Sequence, residues 1–372
     1  MIDEAEHGAR IVLFGATGYT GRLTAEAMVA RGLRPLLLGR SRQKVEALAR
    51  ELGGLGHGVA DVERPAELAG HLRSGDVLVT TVGPFSRHGQ VALAAAVAAG
   101  AHYVDSTGEI GFARTVVETY DAPARDRGIA LLTTSGYDFV PGHCAAAEAV
   151  RRSQGRARRV DVGYFGVGDG PLGLSEGTRA SMAEVSLAPG VFWEGGRLTE
   201  HRAGHKVRRF DVAGRSRPAV AISSSEALFL PRLFPDLRDL TVYLGWFGEL
   251  SYLMPAASLV TAAVQRLPLV HQVVGTALRW TLSSSGRGPG PDRRERIGSY
   301  IVAETYDGRG DKVAEAALSG VNGYTFTANI LALLAERAAA GRIFGTGAIS
   351  PITALGLDGL IEACADAGLT LA

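Results

Sequence analysis

Short apolar runs alternate with helical patterns through the first third of the chain. The runs have the length of buried parallel strands, and most of them end at glycine, aspartate or threonine. Strands that alternate with helices at this spacing predict a doubly wound parallel sheet, which we place in an N-terminal domain over residues 8–150. The predicted strands of this sheet are residues 11–14, 35–38, 57–60, 77–82, 102–104 and 130–134.

Beyond residue 150 the regular alternation is lost and the predicted strands become longer. They indicate a second α+β domain, residues 151–322, built on a mixed or antiparallel sheet. Residues 307–310, Asp-Gly-Arg-Gly, form a predicted hairpin turn between the last two strands. The predicted strands of the second domain are residues 158–167, 207–212, 240–246, 296–305 and 312–319. Two helical stretches follow, at residues 325–340 and 351–367.

Composition narrows the class of protein. The 372 residues suffice for two domains, and 46% of them are hydrophobic, enough for large cores. The formal charge of +1 gives no reason to expect a nucleic-acid partner. Cys144 and Cys364 are far apart and form neither a disulfide framework nor a metal-ligand cluster, so we predict no metal site. Free thiols and a polar, acidic N-terminus favour a cytoplasmic protein without a signal peptide.

A long apolar stretch occupies residues 246–282 of the second domain. Its uncharged part, residues 250–265, is shorter than a membrane-spanning helix and is interrupted by Pro255. We interpret it as buried or pocket-lining helix, with attachment to a membrane surface as a less favoured alternative. If the stretch covers an active site, it suits an apolar small-molecule substrate. The alternatives are plain core or the interface of a homodimer.

The first predicted strand leads directly into a glycine turn and then into a helix. Gly15 would allow a sharp turn, Gly18 would let a pyrophosphate approach bare backbone, and Gly21 would let the helix pack closely on the strand. The N–H groups and the dipole of the helix start would then face the phosphates. This order of elements predicts a dinucleotide-binding Rossmann unit. Its predicted pyrophosphate contacts are Gly15, Thr17, Gly18, Tyr19, Thr20 and Gly21.

The end of the second predicted strand indicates which nucleotide is bound. A site for NAD usually places an acidic residue there, against the ribose 2′-hydroxyl. This chain instead has Gly39-Arg40-Ser41, and an arginine can bind a 2′-phosphate with paired hydrogen bonds. We therefore predict NADP (NADPH), bound in part by Arg40 and Ser41. Asp61 is expected near the adenine, or alternatively as the cap of the next helix.

Later strand ends supply further candidates, because ligands bind at the carboxyl edge of such a sheet. Gly83 and Pro84 are predicted beside the nicotinamide ribose. Phe85 could lie against the nicotinamide ring or could be a core aromatic residue. Gly136 follows the sixth predicted strand and completes the predicted cofactor contacts.

Hydride transfer requires a proton donor from the protein or from water. Tyr137 could donate from a neutral hydroxyl, or could serve only in packing. His143 is a rival donor, although a single histidine is more often a structural hydrogen-bonding residue, and Asp138 completes the candidate catalytic set. Asp105 and Glu109 could orient a substrate, but we favour capping of the following helix. The chain has no Gly-x-Ser-x-Gly elbow for a serine nucleophile.

Several of these motifs together resemble a known family. The sequence Gly-Ala-Thr-Gly-Tyr-Thr-Gly at residues 15–21, Thr-Val-Gly-Pro-Phe at 81–85 and Val-Asp-Ser-Thr-Gly-Glu at 104–109 resemble the saccharopine dehydrogenase-like oxidoreductases. Residues 136–141, Gly-Tyr-Asp-Phe-Val-Pro, resemble the Gly-Phe-Asp-Ser-Val-Pro stretch of that family. Residues 345–351 resemble the ending of its trans-acting enoyl reductase branch. Glu176 stands where that branch tends to have glycine, which would alter the presumed pocket.

The resemblance implies a nucleotide domain, a second domain with a large sheet, and C-terminal helices, residues 323–372, that pack back on the first domain. It also implies NADPH-dependent reduction of an activated carbon–carbon double bond in an acyl or polyketide-like intermediate of secondary metabolism. Such a substrate could be bound to a carrier or a synthase. The first alternative is a saccharopine-type imine reductase, whose substrate carboxylates would need Arg179 or Arg202. The second alternative is an NADP-binding or lipid-associated protein without catalytic activity.

Overall fold

A computed structural model of the chain describes residues 9–168, 190–202, 204–256, 258–259 and 288–372. Glu176, Arg179 and most of the apolar stretch at 246–282 lie outside the described residues. Contacts divide the chain into two compact units. The first contains residues up to Tyr137 together with Tyr324–Ala367, and the second contains Asp138–Gly323 with Gly368–Ala372. No helix in the described part is both long and apolar enough to cross a membrane.

The first unit contains a parallel sheet of seven strands in the order β15-β6-β5-β4-β1-β2-β3. All six predicted strands are present, and the predicted doubly wound sheet is confirmed. The seventh strand, β15, has two residues and was not predicted, because so short a run leaves no periodic pattern. The strands are β1 Ile11–Phe14, β2 Leu36–Gly39, β3 His57–Val59, β4 Val77–Thr80, β5 His102–Asp105, β6 Ala130–Leu132 and β15 Gly347–Ala348.

Helices connect these strands, as the right-handed crossovers of a parallel sheet require. The two C-terminal helices lie almost wholly in this unit, so their predicted return to the first domain is confirmed. One π-helical turn, Val116–Tyr120, separates α5 from α6. The helices are α1 Tyr19–Ala30, α2 Arg42–Glu51, α3 Pro65–Ala69, α4 Phe85–Ala99, α5 Ile110–Thr115, α6 Asp121–Asp126, α10 Gly323–Ala339 and α11 Pro351–Asp366.

The second unit contains a mixed sheet of nine strands. Its main path runs β10-β11-β12-β7-β13-β14-β16, and a hairpin of β8 and β9 branches from β12. Among the strands that the structure describes, only β12 and β7 pair in parallel, so the predicted mixed sheet is confirmed. The strands are β7 Arg159–Gly168, β8 Gly190–Glu194, β9 Arg197–His201, β10 Val207–Val212, β11 Arg215–Ile222, β12 Asp239–Leu244, β13 Ile297–Tyr306, β14 Lys312–Gly320 and β16 Leu369–Leu371.

The helices α7 Val140–Arg152, α8 Glu226–Leu233 and α9 Pro291–Arg296 lie in this unit, together with a 3-10 helix at Gly248–Leu253. Every residue of α7 from Val140 to Ala149 is buried, and the helix packs on β7, β13 and β14. The division between the units therefore falls after Tyr137, whereas the prediction extended the first domain to residue 150. Alternation of strand and helix could not show which sheet this helix would cover.

The second sheet curves so strongly that its edge strand returns toward its centre. Arg208 of β10 pairs with Asp161 of β7 and with Glu304 of β13, although β10 is three places from β7 in the strand order. Both carboxylates are almost fully buried, with side-chain exposures of 6% and 7%. The aromatic rings of Phe165 and Phe210 pack edge to face inside this curve, 5.8 Å apart.

Candidate nucleotide site and active site

Two glycines of the turn between β1 and α1 have steric roles that the backbone makes explicit. Gly15 has φ +87°, a conformation that side chains disfavour, and its N–H donates to the Leu38 carbonyl at 3.0 Å. A β-carbon on Gly21 would overlap the Gly15 carbonyl oxygen and would lie 2.8 Å from Thr81 Oγ1. The strand, the turn and the helix can therefore pack this closely only with glycine at both positions.

Gly18 differs from its two neighbours because its surroundings are open. It is the exposed N-cap residue of α1, in extended conformation, and no side chain caps the helix. A β-carbon there would meet only the Gly15 carbonyl oxygen, at 3.3 Å. Thr17 beside it is also exposed, whereas Tyr19 packs its ring edge-on against Tyr324 at 5.0 Å. The start of α1 thus presents bare backbone to solvent, as an anion site at a helix terminus requires.

A cleft of about 590 Å³ opens where β2 and β3 end. Its lining is rich in basic groups, of which Arg64 pairs with Glu67 at 2.6 Å. Arg40 and Arg42 are exposed and form no ion pair or side-chain hydrogen bond with another described residue. Two uncompensated guanidinium groups in one cleft attract a phosphate.

The two other residues predicted for this end of the nucleotide form local turns. Ser41 caps α2, where its hydroxyl accepts from the N–H of Lys44 at 3.5 Å. Asp61 Oδ1 accepts from the N–H of Glu63 at 3.2 Å. The N-cap residue of α3 is Arg64, so Asp61 closes the turn before that helix. The alternative prediction, that Asp61 caps α3, was wrong. Contact of Asp61 with adenine stays a prediction.

Helix α4 begins differently from α1, because a carboxylate of the protein closes it. The N–H groups of Phe85 and Ser86 donate to the two oxygens of Glu109, each at 2.8 Å. Glu109 is 3% exposed and lies 24 residues further along the chain. We had expected it to cap the helix that follows it, and that expectation was wrong. The N-terminus of α4 is thereby neutralised and offers no anion site.

Residues 83–85 provide backbone near the same strand ends. Gly83 is exposed and precedes Pro84 through a cis peptide bond. The Phe85 ring is only 5% exposed and packs against Phe112, with ring centroids 5.8 Å apart. Phe85 therefore has the environment of a core aromatic residue, which was one of the two alternatives. Contact of Gly83 and Pro84 with ribose stays a prediction.

Asp105 ties the ends of β5 and β6 together and is itself fully buried. One oxygen accepts from the N–H groups of Thr107 and Thr134, both at 2.9 Å, and the other accepts from the Thr133 hydroxyl at 2.9 Å. Burial raises the pKa of Asp105 to about 6, against these hydrogen bonds. With its oxygens engaged and no exposure, Asp105 organises the loops and does not face a substrate.

Tyr137 is held among the helices of the first unit. Its N–H donates to Thr327 Oγ1 at 3.0 Å, and its ring lies edge-on to Phe326 with centroids 6.3 Å apart. Its side chain is 7% exposed. The preceding residue, Gly136, is buried, and a β-carbon on it would lie 3.3 Å from the β-carbon of Ser106. Packing thus accounts for the position of Tyr137, and its role as a donor stays a prediction.

Asp138 follows Tyr137 and belongs to the second unit. Its side chain reaches solvent, yet protein atoms crowd it, and desolvation raises its pKa to about 6. A carboxyl group of this kind still holds its proton in part near neutral pH. It can therefore act as an acid toward a bound molecule.

His143 sits in the first turn of α7 and is fully buried. Its Nε2 is hydrogen-bonded to Ser225 Oγ at 3.1 Å, and its ring faces Phe229 at 6.0 Å. Burial lowers its pKa to about 3, so the ring is neutral at physiological pH. This environment matches the structural alternative for His143, because a neutral, buried imidazole is a poor proton donor.

Glu226 was not among the residues predicted from the sequence, yet it lies next to Ser225, the hydrogen-bond partner of His143. The Tyr164 hydroxyl donates to Glu226 Oε1 at 3.1 Å and accepts from the Gly142 N–H at 2.7 Å. The signal was present, because Ser223 and Glu226 have the spacing of a helix capping box before an apolar run. Only the fold brings this helix start against α7.

The residues of the first unit fit NADP. The uncapped start of α1 and the exposed backbone at Gly18 suit a pyrophosphate, and Arg40 with Arg42 suit a further phosphate. Arg40 would hold the 2′-phosphate, and Gly83 with Pro84 would face the nicotinamide ribose. The bound nucleotide would supply a hydride.

Comparison with known proteins agrees with this fit. The model of the saccharopine dehydrogenase NADP binding domain family matches residues 11–132. Trans-acting enoyl reductases of Mycobacterium ulcerans and Mycobacterium tuberculosis are 35% and 36% identical over 158 and 155 residues. These alignments cover 41% and 40% of this chain and 38% and 37% of the relatives, so the match spans well under half the length of those relatives.

A solved structure shows the same fold over almost the whole chain. Apo saccharopine dehydrogenase (L-Glu forming) of Saccharomyces cerevisiae superposes with a TM-score of 0.63 over 98% of this chain and 99% of that chain, at 12% identity. The fold is therefore that of saccharopine dehydrogenase, and the resemblance found in the sequence is confirmed. Residues 11–132 form an NADP-binding domain of the saccharopine dehydrogenase family.

Proposed function

We propose that the protein is an NADPH-dependent reductase that acts on an activated carbon–carbon double bond. The observation that carries this proposal is the open start of α1 with the unpaired Arg40, in a domain of an NADP-binding family. The names of the trans-acting enoyl reductases that the chain resembles supply the reaction class. The proposed substrate is an apolar acyl or polyketide-like small molecule, presented by a carrier or a synthase.

The chain itself would bind, orient and protonate. The first-turn amides of α1 would hold the pyrophosphate, and Arg40 would select the 2′-phosphate. The buried cap at Glu109 fixes the backbone of residues 83–86, and Asp105 fixes the loops after β5 and β6. These strand ends are therefore preorganised to receive the nicotinamide half of the nucleotide.

Asp138 is the proposed proton donor. It reaches solvent and has a pKa of about 6, whereas His143 is neutral and fully buried. A carboxylic acid with its pKa near the working pH can give its proton to the carbon skeleton and regain one from water. Tyr137 is the alternative donor. Cys144 and Cys364 are both buried and neither forms a disulfide, which supports a site of action in the reducing cytoplasm.

The test is consumption of NADPH with two panels of substrates, enoyl thioesters of increasing chain length and cyclic imines with carboxylates. Turnover of the enoyl panel, lost in Asp138→Asn while NADPH binding is kept, supports the proposal. Turnover of imines alone would assign the saccharopine-type reaction instead. Absence of turnover with both panels, despite tight NADPH binding, would overturn the reductase and favour a protein that only binds the nucleotide.

A further inference from the structure

Glu226 links three elements of the second unit through one hydroxyl group. It is the first residue of α8 and is fully buried. Its Oε1 accepts from Tyr164 on β7, whose oxygen in turn accepts from the Gly142 N–H at the start of α7. A β-carbon on Gly142 would overlap both Glu226 Oε1 and the Tyr164 oxygen. Glycine at this position is what lets the carboxyl group approach α7.

The carboxyl group of Glu226 is held by neutral groups, namely the side chains of Tyr164 and Ser224 and its own backbone N–H. No Lys, Arg or His in the described part of the chain forms an ion pair with it, and its buried Oε2 has no hydrogen-bond partner there. An unpaired carboxylate in such a place is strongly disfavoured, so the group keeps its proton. Burial raises the pKa of Glu226 to about 8, and the nearby Asp138 adds to the shift.

Other titratable groups around α8 do not compensate Glu226. On the α7 side, His143 bonds to Ser225 and is neutral, and Asp138 precedes the helix. Strands β8 and β12 also pack on α8. Their Glu194 pairs with His201 and Lys206, their Asp239 accepts from Gly195, and their Tyr243 packs on Phe210.

A purely structural role would not require an ionisable group. Glutamine could accept the same hydrogen bond from Tyr164 and would carry no risk of a buried charge. The chain nevertheless has an acid at position 226. Through Tyr164 this acid is linked to Gly142, which lies four positions after Asp138 in the sequence. Strained or costly groups of this kind concentrate at functional sites.

We propose that Glu226 is a positioning residue of the reductase, which in its neutral form anchors the start of α7 through Tyr164 and whose loss of a proton turns the reaction off. This inference rests on the proposed function. An ionised Glu226 would put a buried negative charge near Asp138. That charge would make Asp138 hold its own proton more tightly and would oppose the negative charge that develops on the substrate during reduction.

The experiment compares wild type with Glu226→Gln, Tyr164→Phe and a control, Glu148→Gln. Glu148 is a buried carboxylate of α7 that pairs with Arg151 and Arg152. Asp138 loses its own proton over this range in every one of these proteins, so the quantity compared is the additional fall in kcat. As the pH rises from about 7 to about 9, wild-type kcat for the best enoyl substrate should fall about tenfold more than that of Glu226→Gln, while Glu148→Gln keeps the wild-type profile.

Tyr164→Phe breaks the link without changing the charge of Glu226. We expect its kcat at neutral pH to fall about tenfold while the KM for NADPH stays within about twofold of wild type. The positioning role is overturned if Glu226→Gln shows the same alkaline loss as wild type, or if Tyr164→Phe keeps the wild-type kcat. If wild type turns over no substrate at all, the proposed function fails, and this inference fails with it.

Discussion

At the scale of single residues, the choice of nucleotide depends on which cations are already neutralised. Arg22 pairs with Glu26 and Glu51, and Arg64 pairs with Glu67. Arg40 has no such partner among the described residues, although it lines the same cleft as Arg64. A guanidinium group whose charge is not yet compensated gains most from a phosphate.

Replacement of Arg40 by aspartate should therefore weaken the binding of NADPH far more than the binding of NADH. Loss of a charged hydrogen bond and introduction of repulsion should cost about 2 kcal/mol or more, which is about 30-fold in Kd. Fluorescence titration with both nucleotides measures the difference. Arg50→Asp, an exposed change on helix α2, which follows Arg40, is the matched control. Equal losses for NADPH and NADH would show that Arg40 does not meet the 2′-phosphate.

At the scale of elements, two of the helices that begin at the carboxyl edge of the first sheet, α1 and α4, have opposite chemistry at their N-termini. Helix α1 starts with Gly18 and no side-chain cap, whereas α4 is closed by the carboxylate of Glu109. The sequence correctly located the glycine turn, because a strand, three spaced glycines and a helix form a local pattern. It could not show that Glu109 reaches a different helix, since that contact spans 24 residues.

Substitutions at Gly18 and Gly21 should separate binding from folding. Gly18→Val should reduce NADPH affinity by about tenfold or more, because its side chain occupies the space that a pyrophosphate needs. Its melting temperature should change little, since Gly18 has an open environment and an ordinary φ of −73°. Gly21→Ala should lower the melting temperature markedly, because its β-carbon overlaps the Gly15 carbonyl. Unchanged NADPH titration of Gly18→Val would refute the site.

The curved sheet of the second unit yields a prediction about stability. Arg208→Met would leave Asp161 and Glu304 buried with fewer cations, at a cost of about 3–5 kcal/mol. Burial raises the pKa of Asp161, and the charge of Arg208 partly offsets that rise. Loss of this charge in Arg208→Met should therefore raise the pKa of Asp161 further. The deficit should therefore be larger at neutral than at acidic pH, where the carboxyl is protonated in both states. Denaturant unfolding at the two pH values measures it.

The exposed neighbour provides the control for Arg208. Arg209 points away from the buried carboxylates, with a side chain 43% exposed. Arg209→Met should change the free energy of unfolding far less than Arg208→Met does. A similar loss for both variants, or a loss for Arg208→Met that does not vary with pH, would contradict the proposed origin of the effect.

At the scale of the whole molecule, buried titratable groups in both units set the response to pH. Asp105 and Glu226 have pKa values raised to about 6 and about 8, so each contributes stability that is lost as pH rises through its folded pKa. His143 has a pKa lowered to about 3, so it contributes stability above its ordinary value of 6.5 and loses it as pH falls. As the pH falls, Asp105 and Glu226 therefore raise the free energy of unfolding, whereas His143 lowers it.

Above pH 6.5 Glu226 accounts for most of the protons that these three groups still lose in the folded state. Between that pH and about 8 the unfolding free energy should fall by about 2 kcal/mol, since the unfolded carboxyl is already ionised. Urea unfolding of wild type and Glu226→Gln at these two pH values tests the prediction. The variant should show no such fall, and a parallel decline in both proteins would assign the effect to another group.

The sequence by itself determined the fold class and predicted the nucleotide site. Buried parallel strands are apolar runs, glycine turns have fixed spacing, and both are local patterns that survive without tertiary context. Four strands of the second sheet, β8, β9, β11 and β16, escaped prediction. Strand β9 carries mostly polar, exposed residues, β11 starts with polar residues and contains a proline, β8 is a short strand, and β16 has only three residues.

Only the tertiary structure decided what the charged residues do. Local sequence cannot show that Glu226 is buried without a cation, that Glu109 caps a distant helix, or that α7 covers the second sheet. Burial and long-range pairing fix the protonation state of an acid, and both arise only when separate elements pack together. Strand and turn patterns therefore predicted where the nucleotide would bind, while packing selected the groups that can hold or give a proton.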